Sequence, residues 1–381
     1  MSTLSSLRTE KRETEATPTL RNATFEDYSG ISALHDRHGF ATKSHEEWIS
    51  LWSQNPLNNQ LYDWPIGWIL EGKNHAIVGY LGNIPLPYVF RSRPILAATS
   101  RAWIVDPPFR SYSFLLLSRF FQQRNVDLFI NNTVNKNAVR GYEAFRVCRV
   151  PVGAWDESIF WITNYRGFAA SLLASKEILA PTVVGYLLSL ALLTQDKLAR
   201  KRLRVHREGG LISFANCFDP RFDTFWDHLQ CSNPDILLAT RSREILEWHF
   251  RRPLAESRAW VVTAGEGPEL AAYAIFLRRD NRKVGLNRLR LIDFQSLDNR
   301  NELLIPILAL ALERCRKEGI HMLETIGLSL ANQRVLDSAV LHRRSLPSWS
   351  YFYKTNDGEL AKALEDPRAW DPSSFDGDAS L

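Results

Sequence analysis

The sequence predicts an α+β protein built from two similar halves, each a twisted mixed β-sheet flanked by helices. Short apolar runs joined by glycine-containing turns predict β-hairpins at residues 67–80 and 259–277. Apolar residues at helical spacing predict helices at 111–123, 135–144 and 301–318. The same order of elements recurs after roughly 200 residues, which indicates an internal duplication of one unit.

Changes in composition along the chain predict the domain boundaries. Residues 1–16 are polar and charged, lack an apolar segment and are predicted as a disordered lead. The first domain is predicted to span 17–160 and the second 209–355. Between them lies a helical linker of apolar and basic composition, 161–208. An acidic tail, 356–381, is expected to pack on the protein surface through Trp370.

The linker contains a long apolar segment followed by a basic run. Residues 178–195 carry no charge, but they include proline, glycine and hydroxyl side chains, which weaken the case for a membrane span. One interpretation is a buried pair of helices between the domains with a solvated basic end. The other is contact with a membrane surface through residues 178–207. The basic residues of the run are Lys197, Arg200, Lys201, Arg202, Arg204 and Arg207.

Overall composition excludes several classes of protein. With 45% hydrophobic and 23% charged residues, the chain is globular and can bury a core. The net charge of +5 is compatible with anionic ligands but does not indicate a specific nucleic-acid partner. The four cysteines are far apart and the nine histidines show no ligand spacing, so we expect no metal site. A reducing cytoplasm is the expected location.

The turn after the predicted strand 97–105 can hold a phosphate. Val105 ends this strand, and Arg110, Ser111 and Ser113 stand where a helix begins. The start of a helix presents free N–H groups and the positive end of its dipole, and a guanidinium pairs well with phosphate. The alternative for Arg110 is an ordinary surface arginine.

A second group of side chains shares one face of the predicted helix 135–144. Asn135, Ala138 and Tyr142 are spaced at i, i+3 and i+7. A phenol is protonated at neutral pH and can therefore act as a proton donor. The alternatives are a helix-capping role for Asn135 and packing on the sheet for Tyr142.

These two motifs, V-x-P-x-F-R and N-x-x-A-x-x-x-Y-E, together resemble the GNAT acyltransferase superfamily. The resemblance rests on the motifs for residues 20–152 and on the order of elements alone for residues 211–354. The whole chain is therefore similar to GNAT proteins that carry two tandem copies of the fold. It implies acyl-CoA, acetyl-CoA or longer, as the donor substrate, with no metal. The turn departs from the family pattern because Ser113 and Leu115 replace small glycine-type residues, and Leu115 is expected to crowd the phosphate cradle.

The resemblance also assigns roles to the residues of the motifs. Val105, Arg110, Ser111, Ser113 and Asn135 would hold the donor. Tyr142 would protonate the thiolate of coenzyme A.

A base is needed to take a proton from an amine acceptor. The first half offers no carboxylate on its central strand. Asp293, in the predicted strand 284–293 of the second half, is the candidate, and Glu324 lies on the next strand. The alternative for Asp293 is a strand-end carboxylate paired with Arg288 or Arg290.

The sequence therefore predicts a cytoplasmic acyl-CoA-dependent N-acyltransferase that acts on a small amine or amino-sugar acceptor, with membrane association as the added possibility. Two alternatives stay open. One is a non-catalytic binding or scaffold protein built from degenerate GNAT-like copies. The other is a Fem-type transferase, which also pairs GNAT folds but uses aminoacyl-tRNA; the lack of a dense basic groove disfavours it.

Overall fold

The computed structural model describes residues 17–153, 155–178, 182–198, 203, 211–265, 267–337, 342–346 and 349–381. The predicted lead and the basic run after Lys197 lie outside these residues. The chain divides into two compact units. Unit 1 contains the described residues of Met1–Ser50, Asp63–Ile84 and Ser100–Gln123, and unit 2 contains the rest.

The first of two sheets is mixed. Its strands within the described residues are β1 (Thr19–Asn22), β2 (Gly67–Glu71), β3 (Ile77–Phe90), β4 (Arg93–Val105), β5 (Leu128–Val134), β6 (Cys148–Arg149), β9 (Leu238–Ala239) and β15 (Ser350–Thr355). In unit 1, β1 and β2 are antiparallel, with Leu20 opposite Leu70. In unit 2, β4 starts parallel to β5, with Ala97 opposite Leu128.

The second sheet lies entirely in unit 2. Its strands in the described part are β7 (Glu157–Ile162), β8 (Leu211–Ala215), β10 (Ala259–Gly265), β11 (Ala272–Arg278), β12 (Arg288–Ser296), β13 (Met322–Ile326) and β14 (His342–Ser345). Their order is β14-β7-β13-β12-β11-β10-β8. β12 and β13 are parallel, whereas the other neighbouring strands are antiparallel.

Helices accompany both sheets, so the α+β prediction is confirmed. They are α1 (Tyr28–Arg37), α2 (His45–Ser53), α3 (Ser113–Phe121), α4 (Lys136–Ala144), α5 (Tyr165–Ser175), α6 (Thr182–Leu198), α7 (Arg221–Ser232), α8 (Arg243–Ala255), α9 (Leu304–Lys317), α10 (Leu330–Leu336) and α11 (Gly358–Ala363).

The largest core of the second sheet lies beneath α9. Leu304, Ile307, Leu308 and Ala311 recur at helical spacing and are fully buried. They pack against apolar side chains on the facing side of β12 and β13, such as Leu289 of β12. This packing fixes the two parallel strands whose ends form the site described below.

The last strand of each half joins the other half's sheet. The second half does not close on its own last strand, because Ser350 of β15 pairs with Val134 of β5 in the first sheet. In the same way β7 pairs with β13, with Phe160 opposite Glu324. Alternating side chains specify that a segment is a strand, but they do not specify which distant strand it pairs with.

Helices α5 and α6 form a hairpin in the linker region. The interpretation of this pair as buried is wrong for α6, because Ser189 is the single buried position among its described side chains. No helix of the described part has the length and apolar composition needed to cross a lipid bilayer.

Candidate functional site

The parallel strands β12 and β13 pair from Arg288 opposite Met322 to Leu291 opposite Thr325. This pairing stops one residue before the end of β13, while β12 continues to Ser296. At the same point the pairing of β12 with β11 shifts register, which marks a β-bulge beside Ile292. The carboxyl ends of parallel strands commonly hold ligands in α/β sheets.

A cavity of about 530 Å³ opens at these carboxyl ends. It has the size of a small-molecule site, and apolar and polar residues contribute to its lining in similar numbers. Its apolar lining comes from Pro151, Val152, Leu229, Ile236, Leu238, Phe294, Leu330, Ala331, Pro367, Trp370 and Pro372. Its polar lining comes from Ser232, Asn233, Ser296, Asp298, Asn299, Asn301, Ser329, Asn332, Arg368 and Asp371.

Asn332 supplies an unused hydrogen-bond acceptor to the lining. Its side chain is 6% exposed, and its Oδ1 has no hydrogen-bond partner. Its backbone N–H donates to Ser329 Oγ at the start of α10, which holds the residue in place. A buried acceptor without a partner costs roughly 1–3 kcal/mol. A ligand that donates a hydrogen bond at this position would remove that cost.

Asp371 is the carboxylate in the cavity lining whose pKa departs from the ordinary value. Burial raises the pKa of its carboxyl above the ordinary value, while a side-chain hydrogen bond with Ser329 and the charge of Arg241 oppose the rise. A carboxylate with a raised pKa in a cavity suits proton transfer at neutral pH better than a solvated one. Sequence reasoning missed Asp371 because it lies in a segment that was predicted as a surface tail.

A buried ion cluster lies beside this carboxylate. Arg241, 1% exposed, donates from Nε to Asp293 over 2.9 Å and from Nη2 to Asp376 over 3.1 Å. Asp293 also accepts from Tyr273 Oη over 3.0 Å and from Ser373 Oγ over 2.7 Å. Burial, with the neighbouring Asp293 charge, raises the pKa of Asp376 to about 7 although Arg241 lowers it.

The predicted base Asp293 is therefore held in a network of hydrogen bonds with no exposed surface. The alternative pairing with Arg288 or Arg290 is wrong. Those two arginines pair with Glu324 instead, at 3.3 Å and 2.7 Å. A catalytic role for Asp293 stays a prediction.

The tail packs through Trp370, as expected, but its last part is buried and does not lie on the surface. Residues 369–381 are mostly buried, and Trp370 and Phe375 are 7% and 3% exposed. Two acidic side chains of this part bind inside unit 2, because Asp376 pairs with Arg241 while Asp378 accepts hydrogen bonds from the Asn132 N–H and the Thr133 hydroxyl. The earlier part of the tail stays mostly exposed or half-buried.

The predicted phosphate turn is formed in unit 1. Arg110 and Ser111 lie exposed in a 3₁₀ helix, Pro107–Tyr112, that leads into α3. Ser113 is the first residue of α3 and accepts a hydrogen bond on its carbonyl from Trp103 Nε1. Leu115 is 43% exposed, so its side chain does not fill space inside the unit. The half-buried Val105 ends β4, and the structure thus brings the turn residues to the start of one helix.

The other predicted donor-site residues lie on or next to α4 in unit 2. Asn135 caps the helix, with its side chain accepting from the N–H groups of Asn137 and Ala138. Tyr142 is 4% exposed and stacks on Phe352 of β15, with ring centroids 6.0 Å apart. Both arrangements match the structural alternatives, and the assigned roles in donor binding and catalysis stay predictions.

Comparisons with known proteins bear on this architecture. The sequence matches no family model and no curated protein. Solved structures do match its fold. A GCN5-related N-acetyltransferase from Kribbella flavida aligns with a TM-score of 0.54 and 11% identity, over 91% of this chain and 73% of that one. One from Anabaena variabilis aligns with a TM-score of 0.53 and 9% identity, over 89% and 73%.

An N-myristoyltransferase from Saccharomyces cerevisiae, solved with bound myristoyl-CoA, is similar as well. Its TM-score is 0.55 with 10% identity, over 89% of this chain and 79% of that one. The chain has the GNAT fold. This agrees with the resemblance seen in the GNAT-like motifs. Within the described residues, no group of three or more His, Cys, Asp or Glu side chains is arranged to hold a metal ion.

Proposed function

We propose that the protein is an acyl-CoA-dependent N-acyltransferase that acts on a small amine or amino-sugar acceptor. The GNAT fold supports the reaction type, and a similar structure holds myristoyl-CoA. The observation that carries the proposal is the cavity at the carboxyl ends of β12 and β13, with the carboxyl of Asp371 in its wall. We assign this cavity to the acceptor.

The lining of the cavity suits an amine with an apolar body. Phe294 and Trp370 offer apolar surface, and Asn332 and Asp371 offer oxygen acceptors for N–H groups. The phosphates of the donor are assigned to the unit 1 residues Val105, Arg110, Ser111 and Ser113. The predicted role of Asn135, in unit 2, in holding the donor stays a prediction.

The proposed reaction uses two proton-transfer groups. An ammonium acceptor loses one proton to the carboxylate of Asp371, whose raised pKa brings it nearer to neutral pH. The free amine attacks the thioester carbonyl, a C–N bond forms, the C–S bond breaks, and the second amine proton passes to solvent. The phenol of Tyr142 protonates the departing thiolate. The products are an amide and free coenzyme A.

Release of coenzyme A tests the proposal. The full chain is incubated with acetyl-CoA or longer acyl-CoAs and a panel of amines, and free thiol is measured. Asp371→Asn should lower kcat/KM by about 10²- to 10⁴-fold, as expected for loss of a general base. Asp366→Asn is the control, because Asp366 forms an exposed pair with Arg368.

Two results would reject this function. If no amine releases thiol and no acyl-CoA raises the melting temperature, the non-catalytic alternative stands. If thiol release proceeds equally well in Asp371→Asn, the cavity is not the place where the acceptor loses its proton.

We also propose that residues 178–207 contact a membrane surface. This is supported by apolar side chains of α6 that lie exposed, as with Leu187, which is 59% exposed.

A further inference from the structure

The hairpin of α5 and α6 exposes an apolar face. Val183, Tyr186, Leu187 and Leu190 of α6 are 65%, 49%, 59% and 40% exposed, and Ile178 before the helix is 52% exposed. A globular protein rarely leaves such a group of large apolar side chains in water unless the surface has a partner. The other side of α6 packs on α5, so the exposed face is the one left for that partner.

Cations border this apolar face. Lys176 lies exposed at the carboxyl end of α5, and Lys197 lies exposed near the carboxyl end of α6. Arg166 of α5 is exposed and its guanidinium lies 5.6 Å from the ring centre of Tyr186. An aromatic ring with a cation above it is an arrangement suited to the boundary between lipid headgroups and acyl chains.

A second cavity adjoins the same helix. Its volume is about 420 Å³, and Trp161, Leu193 and Leu312 give it apolar walls. Lys197 and Arg316 add two exposed cations to its lining. The acidic Asp196 of this lining is already engaged, because it accepts from Tyr165 Oη and pairs with His342, both over 2.8 Å. The charge left toward solvent is therefore positive.

We propose that the α5–α6 hairpin binds the surface of an anionic phospholipid membrane. This rests on the membrane contact proposed above and names its partner. Val183, Leu187 and Leu190 enter the boundary between headgroups and acyl chains, and Arg166, Lys176 and Lys197 contact lipid phosphates. Charge decides between this partner and an apolar protein surface. Arg166 and Lys197 are exposed cations beside the face, whereas the charge of Lys176 is offset by the exposed Glu177 next to it.

Vesicle flotation of the full chain tests this inference. We expect binding to vesicles of phosphatidylcholine with phosphatidylserine, weaker binding in high salt, and little binding to phosphatidylcholine alone. Val183→Ser with Leu187→Ser should abolish flotation. Lys197→Glu should weaken it by at least about fivefold, the equivalent of one lysine near an anionic surface. Tyr62→Ser is the control, because Tyr62 is 90% exposed and lies outside the hairpin.

Several outcomes would overturn the inference. Equal binding to neutral and anionic vesicles would show that charge has no role in the interaction. Absence of binding to either kind of vesicle would show that the hairpin does not bind a membrane. A concentration-dependent dimer that the double serine variant abolishes would make a second copy the partner. Melting temperatures of the variants show that they fold. Thiol release with a soluble amine, measured without vesicles, reports separately on the proposed acyltransferase, so either proposal can fail alone.

Discussion

Arg241 and Asp293 form an ion pair over 2.9 Å with side-chain exposures of 1% and 0%. The same guanidinium pairs with Asp376, five residues after Asp371 in the segment that contributes to the large cavity. One arginine therefore connects β12, which carries Asp293, with the segment that carries the proposed base. The pair therefore supports the segment that carries the site, and the catalytic role predicted for Asp293 stays a prediction.

Loss of this arginine should destabilise the protein strongly. Arg241→Ala leaves two buried carboxylates without a cation, and breaking a buried pair on one side costs about 3–5 kcal/mol. Urea unfolding measures the loss. Arg251→Ala is the control, because its pair with Glu247 is largely exposed and should contribute no more than about 1 kcal/mol. Similar losses in both variants would contradict the buried role.

The titration of Asp376 should make stability depend on pH. Its folded pKa, about 7, lies above the ordinary value of 3.8, so between these values the folded state binds more protons than the unfolded state. The free energy of unfolding contributed by this group is therefore largest below about pH 4 and falls as pH rises toward 7.

Urea unfolding from pH 4 to pH 8 checks this. Asp376→Asn should flatten the decline over that window. Asp366→Asn should not, because Arg368 lowers the pKa of Asp366 to about 2 and its contribution has the opposite sign. An unchanged slope in Asp376→Asn would show that this carboxyl is ionised in the folded protein at lower pH.

Tyr142→Phe separates packing from chemistry. Phenylalanine keeps the aromatic stack on Phe352, so the ring packing of α4 on β15 is retained. Without the phenol, kcat for thiol release should fall by about 10²-fold or more, while the affinity for acyl-CoA stays the same. Phe352→Leu is the control for the packing, and it should lower the melting temperature instead. A normal kcat in Tyr142→Phe would remove Tyr142 from the proposed mechanism.

Local patterns predicted the elements well. The strand, turn and strand at 67–80 appear as β2 and β3, and the helix at 301–318 appears mainly as α9. Asn135 shows why: its short polar side chain and the helical spacing that follows are enough to start α4 without distant help.

Long-range features were not predictable in the same way. The partner of Asp293 is Arg241, more than fifty residues earlier, and nothing in the spacing of either residue indicates the pair. The cavity lies where the ends of β12 and β13 meet residues near 151, 232 and 370, and a meeting of distant segments cannot be read from composition. Asp371 became a candidate only when burial of the tail placed it in the cavity wall.

The exchange of final strands has a consequence for synthesis of the chain. Val134 pairs with Ser350, so β5 cannot acquire this neighbour until nearly the whole polypeptide has left the ribosome. Until then the edge of β5 is open to pairing with other chains. A fragment that ends between the two halves lacks β15, so this edge of β5 would stay unpaired. Such a fragment should aggregate under conditions in which the full-length chain does not.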